Sequence, residues 1–92
     1  MARVTTERVE QTKRELLEAA RLVLMGEGYS NLSTRRVAEA AGTQMSQIQY
    51  HFGSKEALIT ELLGFLARAY AQALDAALAG ERALAFLRAQ LA

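Results

Sequence analysis

Apolar residues recur with helical spacing along the whole chain, and strict alternation is absent. Leu16, Leu17, Ala20, Val23 and Leu24 fall at i, i+1, i+4, i+7 and i+8, which is one face of a helix. Glu10, Lys13, Arg14, Glu18 and Arg21 lie mainly off that stripe. The pattern predicts a first helix over residues 9–27, ended by Gly26-Glu27-Gly28, because Gly readily takes the left-handed conformation that closes a helix. Tyr29 and Leu32 then read as core anchors of the connecting loop. A second, short helix is predicted over 34–41, with Ser33 as N-cap and Val37, Ala38 and Ala41 inward. Gly42 stops it. A third spans 44–52, with Ile48 and Phe52 at i, i+4 facing the core, and Gly53 ends it. Ser54 caps a long fourth helix over 54–79, and Glu56 sits favourably at its positive N-terminal end. Its stripe runs through Leu58, Leu62, Leu66, Tyr70, Leu74 and Leu78. Gly64 lies inside it as a close-packing or merely tolerated position. Gly80 is read as a break, followed by a last helix over 81–91.

Composition agrees with an all-α chain. Of 92 residues 51% are hydrophobic, no Pro is present to interrupt a helix, and Ala and Leu outnumber the β-branched strand formers. The absence of Cys excludes a disulfide scaffold and a thiolate nucleophile, and a single His excludes a His-cluster metal site. No apolar run approaches the ~18 residues of a membrane span, and residues 1–14 lack a secretory core segment, so the expected compartment is the cytoplasm. The net charge of +1 is uninformative, but residues 1–55 hold eight Lys/Arg against six Asp/Glu, and residues 56–92 hold three against four. Binding to a polyanion would therefore rest on local clustering.

The informative unit is Ser33 to Phe52. Ala38 is followed four residues later by Gly42, and Gly42 six later by Ile48. A helix-turn-helix needs a small residue where its helices cross, a residue tolerant of positive φ in the turn, and an apolar pin on the second helix. These three positions supply them. The outward positions of the second helix of the pair are then Gln44, Met45, Ser46, Gln47, Gln49 and Tyr50. Amides, hydroxyls and a phenol can read base edges or contact phosphates in a major groove.

These residues resemble the N-terminal domain of the TetR/AcrR family of bacterial transcriptional regulators. The likeness is carried by residues 32–42 (LSTRRVAEAAG), by residues 48–58 (IQYHFGSKEAL), and by the Leu16–Leu22 stretch with Gly28-Tyr29. It covers residues 9–66. It implies phosphate or base contact by Thr34 and Arg35, a reading face made of Gln44, Met45, Ser46, Gln47 and Gln49, and backbone contacts from Tyr50 and His51. It also implies a phosphate-binding Lys55 and a further contact near Thr12 or Lys13. The family usually has Tyr where this chain has Gln49, and Ser or another N-cap residue near Gln44. By the same resemblance residues 1–53 form the DNA-binding domain, and residues 54–92 begin a regulatory and dimerisation domain. A homodimer on a palindromic operator, a repressor role and release by a small-molecule effector follow as expectations. Family members are about twice this length, so effector and dimer parts are expected to lie largely outside this chain.

Plainer readings stand beside these. Arg35 and Arg36 also fit a solvated helix face, Tyr50 a core ring, and Lys55 a partner for Glu56 or Glu61. The apolar surface of residues 58–91 exceeds what three short helices can cover, so it is either the start of a larger domain or a self-association surface. The alternative function is a helical protein-interaction module that retains the helix-turn-helix as scaffold. No acid–base pair, activated nucleophile or phosphate loop is visible, so neither an enzyme nor a cofactor is expected.

Overall fold

The computed structural model describes residues 2–91, with side chains from Thr6 onward. Four helices follow in order: α1 (Ala2–Glu27), α2 (Thr34–Ala41), α3 (Met45–Phe52) and α4 (Lys55–Leu91). A 3-10 turn at Tyr29–Asn31 joins α1 to α2. Among the described residues there is no strand, so the fold is all-α. No helix among them is long and apolar enough to cross a membrane.

The core is built from the predicted stripes. Leu16, Leu17, Ala20 and Val23 of α1 meet Leu32, Val37 and Ala38, then Ile48 and Phe52 of α3, then Leu58 and Leu62 of α4, all buried. Each fully buried Leu, Ile or Val contributes about 1.5–3 kcal/mol relative to exposure. Ala38 is 2% exposed at the α2–α3 corner, where its small side chain lets the helices approach.

Two ion pairs close the bundle from outside. Arg36 of α2 makes a two-pronged contact with Glu27 at the end of α1, with Nε donating to Oε1 at 2.9 Å and Nη2 to Oε2 at 2.7 Å. Lys13 of α1 reaches Glu61 of α4 at 2.8 Å, and its ammonium lies 5.3 Å from the centre of the Phe52 ring.

Three sequence expectations are corrected. First, α1 begins at Ala2 rather than near Val9, and Gly26 is helical; the turn is made by Gly28, at φ 87°. Second, Tyr29 is not a core anchor: it is 63% exposed in the 3-10 turn, whereas Leu32 is buried in the core. Third, Gly80 does not break the chain, and the expected fifth helix over 81–91 is the continuation of α4. One interior Gly costs about 1 kcal/mol against Ala, which the helix formers on both sides offset, and no tertiary contact pulls the chain aside there.

α4 is 37 residues long, roughly 55 Å of helix. Its first three turns cover the core, and from Ala67 to Leu91 every residue is exposed. The radius of gyration, 18.2 Å, records this projection; a compact chain of this length has about 12 Å. Tyr70, Leu74, Leu78, Leu84, Phe86, Leu87 and Leu91 are thus left uncovered, whereas Phe65 and Leu66 pack partly on the core. A Cβ at Gly64 would meet only the end of the Arg68 side chain, at 3.5 Å, so the position does not serve close helix packing.

Candidate nucleic-acid interface

The interface is a corner formed by α2, the turn at Gly42 and α3. Ser33, in extended conformation, caps α2 by accepting the Arg36 backbone N–H at its Oγ, 3.0 Å away. At the other end Gly42 adopts φ 69°, ψ 33°. Its N–H donates to the Glu39 carbonyl at 3.1 Å, and the next N–H, of Thr43, donates to the Ala38 carbonyl at 2.9 Å. That pair of bonds is the Schellman closure, and it needs the left-handed residue. The chain then re-enters a helix after Gln44, whose backbone is extended and whose side chain makes no capping bond. The helix starts at Met45, one residue after the expected start.

Ile48 and Phe52 anchor α3, being 1% and 8% exposed. Their inward placement turns the other positions outward. Gln44, Ser46, Gln47 and Gln49 are exposed, as are Met45 and Tyr50. Tyr50 is 73% exposed, which removes the reading of it as a core ring. The outward face of α3 therefore holds amides, a hydroxyl, a thioether and a phenol.

Thr34, Met45, Ile48, Gln49, Gly53, Ser54 and Lys55 line one cleft of about 250 Å³. The first turns of α2 and α4 converge there. Ser54 caps α4 by accepting the Ala57 backbone N–H at 3.0 Å, and Lys55 is its first helical residue. Two positive helix ends and an ammonium group beside the exposed α3 face make a setting that favours an anion. The helix-turn-helix spacing singles out Met45 and Gln49, and the family resemblance Thr34 and Lys55; the fold brings the four together. Ser54, which the sequence offers only as a cap, lines the cleft together with Ile48 and Gly53, three residues that the sequence does not assign to the site.

Arg35 is exposed on α2 and makes no ion pair among the described residues. Arg36 beside it is committed to Glu27, with Glu39 at 3.8 Å, and so is turned to the bundle. The bond to Glu27 raises the Arg36 pKa and lowers that of Glu27, so both stay charged.

His51 is half-buried at the opposite flank of α3, edge-on to the Tyr50 ring with 4.9 Å between centroids. Burial, with the Lys13 charge adding to it, lowers its pKa below the ordinary 6.5. At neutral pH it is thus an uncharged imidazole that can donate one N–H rather than a cation. The α1 contact expected near Thr12 or Lys13 looks different in the fold. Thr12 Oγ1 donates to the Arg8 carbonyl at 2.9 Å, and Lys13 serves Glu61 and Phe52. Among the described residues no group of His, Asp or Glu is placed to hold a metal ion.

The architecture is that of a helix-turn-helix protein carrying a long trailing helix. Residues 16–62 match the model of the bacterial regulatory proteins of the tetR family, and the chain belongs to that family. The match encloses every candidate contact residue from Thr34 to Lys55. The repressor AcnR of Corynebacterium efficiens is 36% identical over 62 residues, 67% of this chain and 33% of that protein. The dual regulator CecR of Shigella flexneri is 47% identical over 49 residues, 53% of this chain and 22% of that protein. The regulator TtgR of Pseudomonas putida is 32% identical over 66 residues, 72% of this chain and 31% of that protein. The chain thus matches a third or less of the length of these relatives. No solved structure matches it.

Proposed function

We propose that this chain is the DNA-binding part of a transcriptional regulator, with α3 in the major groove of double-stranded DNA. The observation that carries the reading is the outward α3 face beside the cleft of Thr34, Gln49 and Lys55. An α-helix with short polar side chains fits a major groove about 12 Å wide. The first turns of α2 and α4 and Lys55 hold the phosphates, Tyr50 and His51 contact the flanking backbone, and Gln44, Met45, Ser46, Gln47 and Gln49 face the base edges. Arg35 reaches phosphate or an adjacent base. The chemistry is binding, not catalysis, and its place is the cytoplasm, where bacterial DNA lies.

The name of one relative, a transcriptional repressor, supports a repressor role, and the family resemblance implies the finer version: a homodimer on a palindromic operator, released by a small-molecule effector. The exposed stripe of α4 supplies apolar surface for such association.

The test is a titration of the chain with duplex DNA across salt concentrations. Phosphate neutralisation makes log K fall linearly with log[salt]. Tyr50→Ala lowers affinity on every sequence, and Gln47→Ala alters base preference. The α4 stripe also favours a second reading, a helical protein-interaction module. Salt-insensitive association with protein, and no duplex binding, would select that one.

A further inference from the structure

The outward face of α3 contains no cation. It offers the amides of Gln44, Gln47 and Gln49, the Ser46 hydroxyl, the Tyr50 phenol and the Met45 thioether. The cations beside α3 stand on other helices: Lys55, which begins α4, shares a cleft with Met45 and Gln49, and Arg35 is exposed in the first turn of α2. Arg36 is held by Glu27 and Lys13 by Glu61.

Base chemistry turns this inventory into a selection. In the major groove guanine shows two acceptors, O6 and N7, which two donors of one Arg meet best. Adenine shows the N7 acceptor and the N6 donor, and a carboxamide carries one donor and one acceptor in matching order. Thymine adds a methyl group that favours apolar contact. The N-terminal residues of a recognition helix are the ones that reach base edges. Here those are Gln44, Met45, Ser46 and Gln47, with Gln49 beside Met45 in the cleft.

We infer that the base pairs facing α3 are A·T pairs, with adenine opposite the glutamine amides and a thymine methyl against Met45. The inference rests on the DNA-binding reading and names the sequence class it selects. Guanine preference is confined to the base within reach of Arg35.

The experiment is selection of bound duplexes from a fully random library by the intact chain, followed by affinity measurement on the enriched duplex. The positions facing α3 are those whose preference changes in Gln47→Ala or Gln49→Ala. A·T enrichment at those positions supports the inference. So does a loss of roughly two- to tenfold, the share of one hydrogen bond, when 7-deazaadenine replaces one of those adenines. The same replacement has little effect in the matching Ala variant, because the amide that read N7 is gone. Enrichment of G·C at those positions, or indifference to 7-deazaadenine, overturns the inference and leaves DNA binding standing. A chain that enriches no sequence and binds no duplex in a salt-dependent way overturns both.

Discussion

Replacing one hydrogen by a methyl group at two glycines should shift stability in opposite directions. Gly42 sits at φ 69°, ψ 33°, and a Cβ there would meet no atom within 4 Å. The cost of Gly42→Ala is therefore conformational, with no clash to add: about 1–2 kcal/mol for an L-residue in the left-handed region. Gly26 is helical, near the end of α1, and its Cβ would also meet open space. Gly26→Ala should stabilise by about 0.5–1 kcal/mol, because Ala loses less backbone freedom than Gly in a helix. The two variants then differ by roughly 2 kcal/mol, which at about 4–8 °C per kcal/mol for a domain of this size separates their midpoints by around 10 °C. Gly42→Asn should fall between Gly42→Ala and the parent, since Asn tolerates the left-handed region. Thermal unfolding followed by far-ultraviolet circular dichroism measures all three. Equal shifts for Gly42→Ala and Gly26→Ala would rule out a conformational origin, because both sites have open space for a Cβ and differ in backbone conformation.

Three further outcomes follow from the geometry. Lys55→Ala should weaken binding to all duplexes and reduce the slope of log K against log[salt] by about 0.9, the share of one phosphate; an unchanged slope would remove Lys55 from the contact. Leu58→Ala, at a fully buried site, should cost about 2–5 kcal/mol, whereas Leu78→Ala on the exposed part of α4 should stay within about 0.5 kcal/mol by denaturant titration. His51 has a folded pKa below its ordinary 6.5, so the unfolded chain takes up this proton first. Its contribution to stability is then present above that value and lost as pH falls through 6.5 toward the folded pKa. Stability–pH curves of the parent and His51→Gln should diverge across that window and run parallel above it.

Local signals carried most of the fold. The spacing of Ala38, Gly42 and Ile48 located the corner, and α2 runs over 34–41 as its N-cap and closing Gly foretell. These residues act through bonds to near neighbours, so sequence distance is enough to find them. Tyr29 and Gly80 depart from the sequence expectation for one shared reason. An aromatic after a helix, or a Gly in a helical run, signals burial or a break only if tertiary contacts enforce it, and neither site has such a partner. The engagement of Lys13 with Glu61 and Phe52 joins residues about forty or more positions apart, and Arg36 with Glu27 bridges two helices. No periodicity encodes such pairs. The cleft shared by Thr34, Gln49 and Lys55 is likewise a product of helix packing, although each member was visible as a motif position.

DNA binding through α3 is tested most simply by backbone amide NMR of the labelled chain during titration with duplex DNA. Chemical-shift changes should concentrate in α3, residues 45–52, and in the first turns of α2 and α4, around Thr34 and Lys55, with the exposed stripe from Tyr70 to Leu91 unmoved. Changes confined to that stripe, or none at a duplex excess in low salt, would contradict binding through α3.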